Sequence, residues 1–369
     1  MPMSYNKVFA INVIVFVGIF LTLEVLARLV FPEFKNHIHN IVTNNDITTS
    51  NKTMNINFYS GKFFPDNHFF HLRKPNAESY KPNNKEKVIV IGDSISKGYG
   101  TAYEDIWWQK LERLLSVKGE NTRQFIAYGY SGNSMVNALD TLKEISRLEG
   151  KKVSHILYQF NFNDITPFKK QDLKTVNDGR WISNNVVKKV AMWRMEYGNH
   201  SVFLRTAQHY LGKYIRKTSG SCEERGIGAL GPYTWSYGSK AYRDEATFYW
   251  DSFEENLVQM SNISKSLGAE FQIVISPILY DIDKKGIHPH FNYLDFDFSC
   301  ATINPRENIV ALGERYKIKI YDPAFEIRRS FEARLEEGNF TPYFFAGDDN
   351  HFNSTAATYF AEVIAKDWH

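Results

Sequence analysis

The segment Lys87–Gly100, KVIVIGDSISKGYG, decides the fold. Val88 to Ile91 is a short, continuous apolar run that stops at Gly92. Such a run reads as a parallel strand buried on both faces. The Gly92-Asp93-Ser94 turn then leads into helical spacing, with Trp107, Trp108, Leu111, Leu114 and Leu115 on one stripe of Ile106–Val117. A strand, a glycine turn and an amphipathic helix make the first unit of an alternating α/β chain.

The same rhythm continues downstream. RQFIAYGYSG supplies a second strand and turn, and Ser134–Leu148 a helix with Met135, Leu139, Leu142 and Ile145 on one face. Ser154–Phe160 is a third strand, Phe248–Leu267 a helix, EFQIVISPIL a fourth strand, Ile303–Tyr316 a helix and IKIYDP a fifth strand. Ser354–Trp368 closes the chain as a helix that Ser354 or Thr355 can cap. The expected fold class is α/β: a three-layer sandwich around a central, mostly parallel five-stranded sheet. Residues 165–245 and 280–300 break the alternation and read as insertions beside the carboxyl ends of strands, where open α/β sheets hold ligands.

Upstream, Val8–Phe31 is nearly all apolar as far as Leu23 and then carries Glu24 and Arg28. No small-residue cleavage site stands out, and a buried helix would be unusually apolar on every face. Residues 1–31 are therefore expected to be an uncleaved, single-pass transmembrane anchor in contact with membrane lipid. Lys7 on one side and Arg28 and Lys35 on the other leave the orientation open. The chemistry below favours a catalytic part outside the cytoplasm. Residues 32–86, polar and Asn/Thr-rich and then aromatic, read as a tether and surface segment; 87–369 form the catalytic domain.

Composition excludes several classes. Lys and Arg total 44 against 41 Asp and Glu, a net charge of +3, too small for a nucleic-acid footprint. Two cysteines, Cys222 and Cys300, rule out a cysteine-rich zinc module; lying in the two insertions, they can pair in an oxidising compartment. His288 and His290 near Asp281, Asp283, Asp295 and Asp297 read as a solvated loop rather than a metal site, and no cofactor is expected.

Four segments carry polar chemistry. Ser94 on its tight strand-to-helix turn has the geometry of an exposed nucleophile. Gly129-Tyr130-Ser131-Gly132 and Asn161-Phe162-Asn163-Asp164 close the next two strands at the same sheet edge. A Gly132 amide and the Asn163 side chain suit an oxyanion hole. In Asp348-Asp349-Asn350-His351, His351 can take the serine proton and Asp348 can hold its other ring nitrogen, whereas Asp349, one residue nearer, would diverge.

These blocks, in this order, resemble the SGNH hydrolase superfamily of GDSL-type esterases over about residues 87–368. IGDSISKGYG matches the nucleophile block at Ser94, Gly132 the second-block glycine, Asn163 the third-block asparagine, and Asp348 and His351 the last block. Asn161 departs from the glycine common at the start of the third block, and Ile95-Ser96 from a common Leu-Ser or Leu-Thr.

The resemblance implies a flavodoxin-like sheet and serine acyl transfer. Ser94, Asp348 and His351 would be catalytic, and the amides of Ser94 and Gly132 with the Asn163 side chain would form the oxyanion hole. The expected activity is hydrolysis of carboxylic esters through an acyl-enzyme, with O-acyl groups on cell-envelope glycans as a candidate substrate. The alternatives are an O-acyltransferase that passes the acyl group to a glycan hydroxyl, and a non-catalytic glycan-binding protein.

Overall fold

The computed structural model describes residues 5–30, 58–59, 72–73, 85–98, 101, 103–119, 123–129, 133–149, 153–165, 201, 203, 221–225, 230, 233–283, 297–339, 343–344, 351 and 353–368, with backbone alone at 5–14, 58–59, 72–73, 148–149 and 225. Five parallel strands form the centre: β3 (Glu86–Gly92), β4 (Arg123–Gly129), β5 (Val153–Phe160), β6 (Glu270–Ile275) and β7 (Lys319–Tyr321). Two short antiparallel strands, β1 (Phe58–Tyr59) and β2 (Leu72–Arg73), extend the sheet beyond β4. The order is β1-β2-β4-β3-β5-β6-β7. The expected central sheet of five parallel strands is present, and among the described residues β1 and β2 add to its β4 edge. Two-residue strands carry no readable alternation; β2 pairs with the β4 edge and β1 with β2.

The long helices are α1 (Tyr5–Val30), α2 (Trp107–Val117), α3 (Met135–Glu149), α4 (Arg243–Ser266), α5 (Pro305–Tyr316), α6 (Ala324–Glu336) and α7 (Ser354–Lys366). Successive strand residues point to opposite faces, so the apolar runs feed two cores. Ile89, Ile91, Ile156, Tyr158, Phe160, Ile273 and Ile275 pack with α3, α4 and α5. Val88, Val90, Leu157 and Val274 pack on the other face with α2, α6 and α7. This is the expected three-layer arrangement. The α6 helix was not anticipated, although Ala324, Ile327 and Phe331 form a buried stripe at helical spacing.

The expected transmembrane anchor over 1–31 is not borne out: among the described residues no helix is long and apolar enough to cross a membrane. Polar docking interrupts the carboxyl half of α1. Arg28 pairs with Glu24 at 2.8 Å, and Glu24 also accepts hydrogen bonds from Ser201 Oγ at 2.6 Å and the Phe203 amide at 3.0 Å. Phe20 meets Phe203 edge to face with ring centroids 5.9 Å apart, and Ala27 is buried. Apart from Thr22, the rest of the described α1 surface is largely apolar and exposed.

Cys222 and Cys300 form a disulfide across the two insertions, with Cα atoms 5.4 Å apart. The bridge joins the Cys222–Arg225 turn to the Phe298–Cys300 turn.

Candidate active site

Ser94 begins a single helical turn, Ser94–Lys97, directly after β3. Three local features make this turn. Asp93 caps it by accepting from the Ile95 amide at 2.9 Å, and Gly98 ends it in the left-handed region at φ 70°. Gly92 and Gly129, paired across β3 and β4, leave room for it. A Cβ on Gly129 would collide with the backbone of Ser96 and Lys97, and one on Gly92 with Ser96 Oγ.

His351 Nε2 lies 2.6 Å from Ser94 Oγ, although 257 residues separate them. The chain just after His351 is fixed through Asn353. The Asn353 amide donates to the Tyr343 carbonyl at 3.0 Å, and the Asn353 side chain caps α7 by accepting from the Ala356 amide at 3.1 Å. Ser354 Oγ then donates to Asp105 Oδ1 at 2.7 Å, tying the start of α7 to the region before α2. Burial pushes the Asp105 carboxyl up, but hydrogen bonds from Lys110 and Ser354 and the charges of Lys110 and Arg113 outweigh it and hold it below its ordinary value.

Asn163 stands just after β5, which pairs with β3, so it shares the sheet edge with Ser94. It is half-buried, and its Oδ1 has no hydrogen-bond partner among the described residues. Gly132 and Asp348, the other expected members of the oxyanion hole and triad, lie outside the described residues. His288, His290 and Asp295 do as well, and among the described residues no cluster of metal-ligating side chains is present.

A buried polar layer supports the turn. Asp93 is fully buried, and its Oδ2 accepts from Asn161 Nδ2 at 2.9 Å. Burial raises the Asp93 carboxyl above its ordinary value, against the pull of the Ile95 amide, the His351 charge and the Asn161 and Gln159 side chains. Ser96 Oγ donates to Gln159 Oε1 at 2.6 Å, and Gln159 Nε2 donates to Ser276 Oγ at 2.6 Å. The layer thus runs from β3 through β5 to the end of β6. Trp108 Nε1 donates to the Ser96 carbonyl at 2.8 Å, and Asn133 Nδ2 to the Gly92 carbonyl at 3.1 Å.

None of Gln159, Ser276 or Asn133 was anticipated. The available signal was a polar residue inside an apolar strand, as at Gln159 within LYQF, since a buried polar group requires a partner.

The arrangement can move a proton from a serine hydroxyl to an imidazole. It also presents a backbone amide at Ser94 that has no acceptor among the described residues, the ordinary state of the first N–H of a helical turn.

No family model matches the chain, and no curated protein matches it. Among solved structures, a member of the lipolytic protein G-D-S-L family from Veillonella parvula is 14% identical, covering 76% of this chain and 97% of its own, with a TM-score of 0.36. An acetyl xylan esterase is 13% identical over 77% of this chain and 100% of its own, at 0.38. A lipase/acylhydrolase from Enterococcus faecalis is 12% identical over 76% of this chain and 94% of its own, at 0.36. At these identities and scores the likeness carries no weight for function, which rests on the side chains around Ser94.

Proposed function

We propose that the chain is a serine hydrolase of carboxylic esters, acting through an acyl-enzyme. The observation that carries this reading is the 2.6 Å separation of Ser94 Oγ and His351 Nε2. His351 takes the proton from Ser94 as the oxygen attacks the ester carbonyl, and the C–O bond to the alcohol breaks as His351 returns that proton to the leaving oxygen. Water, deprotonated in turn by His351, then attacks the acyl carbonyl, and the acyl-serine C–O bond breaks as His351 returns that proton to Ser94 Oγ, releasing the acid. In this proposal Asp348 would hold the imidazole, and the amides of Ser94 and Gly132 with the Asn163 side chain would receive the oxyanion, the roles that the family resemblance implies.

The substrate class we favour is O-acyl groups on cell-envelope glycans, with the catalytic part outside the cytoplasm at a membrane surface. Two features support that location. The Cys222–Cys300 bridge belongs to an oxidising compartment. The α1 helix exposes a row of apolar side chains, including Phe16 at 71% and Leu29 at 73%, larger than a solvated helix needs.

The test is Ser94→Ala in the full chain. Loss of the nucleophile lowers turnover of p-nitrophenyl acetate by ~10³-fold or more, and labelling by a fluorophosphonate probe disappears. Unchanged turnover in a variant with the wild-type melting temperature overturns the reading.

A further inference from the structure

Beyond the nucleophile, at the same carboxyl edge of the sheet, a cavity of about 380 Å³ opens at the ends of β6 and β7. That volume lies within the ~300–1,000 Å³ span of small-molecule sites. Tyr280 and Asp281 follow β6, Asp322 follows β7, and Tyr237 and Phe298 come from the two insertions. Tyr280 and Phe298 stack with centroids 3.9 Å apart at an interplanar angle of 17°, and Tyr237 closes on Phe298 at 5.0 Å.

Arg306 forms the polar floor. Its Nη2 donates to Asp281 Oδ2 at 2.7 Å, its Nη1 to Asp322 Oδ1, and its guanidinium lies over the Phe162 ring at 5.4 Å. Phe162 also touches Tyr237 at 5.6 Å and directly precedes Asn163. Phe162 therefore packs against two residues of the cavity lining, Arg306 and Tyr237, and is the chain neighbour of the expected oxyanion donor.

The chemistry of the lining selects a ligand. Two guanidiniums, Arg306 and Arg328, face two carboxylates, Asp281 and Asp322, so the formal charges cancel. A net anion or cation gains little there. Carboxylates whose positions are fixed by an arginine fork keep lone pairs for hydroxyl donors, and the tyrosine hydroxyls can both donate and accept, whereas the Asn304 side chain is committed to capping α5. The stacked pair offers an apolar face for C–H groups. Hydroxyls beside C–H faces are the surface of a sugar ring.

We propose that this cavity binds a neutral sugar unit of the substrate's alcohol portion and so positions the ester over Ser94. The proposal rests on the ester-hydrolase reading for its purpose, but its binding can be measured apart from turnover. Burial raises the Tyr237 hydroxyl well above its ordinary value, followed by the charge of Asp281, so it remains a neutral donor and acceptor through the working range.

The experiment titrates the full-length Ser94→Ala chain with xylotetraose, cellotetraose and chitotetraose by calorimetry, and repeats hydrogen-exchange measurements with the tightest of them. Expected are saturable binding to at least one, protection at 278–282 and 298–306, and at least tenfold weaker binding in Ser94→Ala/Tyr280→Ala. Where that double variant fails to fold, Arg328→Ala gives a second reading, with the same direction expected. Binding to none of the three, protection confined to other segments, or displacement of the sugar by millimolar inorganic phosphate overturns the proposal.

The two readings fail separately. A wild-type chain that hydrolyses esters but binds no tetrasaccharide removes the sugar site alone. A chain without esterase activity that still shows the Tyr280-dependent protection removes the hydrolase reading alone.

Discussion

Asn161 Nδ2 donates a 2.9 Å hydrogen bond to Asp93 Oδ2, so the residue that follows β5 holds the residue that precedes the nucleophile. At the same time Asp93 Oδ1 caps the Ser94 turn through the Ile95 amide. Asn161, the departure from the glycine common in the resembled family, is thus a positioning residue. Replacing it by alanine leaves a buried carboxylate oxygen without this donor. The expected cost is about 1–3 kcal/mol of stability, with a lower kcat and an unchanged KM because the turn loses its brace. Denaturant unfolding together with steady-state kinetics checks it; wild-type values for both would show that the bond holds nothing in place.

Asp164 gives a pH signature. Its Oδ2 accepts from the Tyr158 hydroxyl at 2.7 Å and from the Asn161 amide at 3.0 Å, while its Oδ1 is buried without a partner among the described residues. Burial first, then the charge of Asp93, push this carboxyl well above its ordinary value against those two bonds. The folded state therefore holds a proton that the unfolded chain has released. Its stabilising effect is complete below the unfolded carboxylate value of 3.8 and is lost as pH rises through the elevated folded value, at up to about 1.4 kcal/mol per pH unit. Asp164→Asn removes that titration, so its stability relative to the wild type should increase with pH above 4. Parallel stability curves for the two proteins would contradict this.

At Gly129 the backbone of Ser96 and Lys97 occupies the space a Cβ would need. Backbone cannot swing aside as a flexible side chain can. Gly129→Ala should cost at least the roughly 1–3 kcal/mol of an overpacked core and displace Ser94 with the turn. Esterase activity should fall more steeply than stability in paired kinetic and melting measurements. A fully active variant would mean that the turn tolerates the shift.

The Cys222–Cys300 bridge closes a sequence separation of 78 residues. Loop-closure entropy for such a span corresponds to roughly 4–5 kcal/mol in the chain-entropy model. Cys222→Ala/Cys300→Ala should therefore melt well below the oxidised wild type, and reduction of the wild type should bring the two together. Equal melting temperatures before and after reduction would show that the bridge contributes nothing to stability.

The parallel core was legible because a continuous apolar run is a local signal. Val88 and Val90 against Ile89 and Ile91 specify two buried faces within four residues, and the helices announce themselves at their own period. Ser94, Asn163 and His351 were legible as residue types at turns and before the closing helix. The anchor reading took Glu24 for a charge near a lipid interface, and its docking partners were not legible. Its partners Ser201 and Phe203 lie far along the chain.

By itself, the sequence determined the five central strands, most of the helices and the chemical types at the sheet edge, since each depends on the covalent neighbours of a residue. Tertiary structure alone decided that His351 reaches Ser94, that Asn161 braces Asp93, that Gln159 bridges Ser96 to Ser276, and that Arg306 lies between two carboxylates over Phe162. Those contacts depend on strand register and on which chain segments pack side by side, and a few ångströms of displacement would abolish a hydrogen bond without changing a single residue.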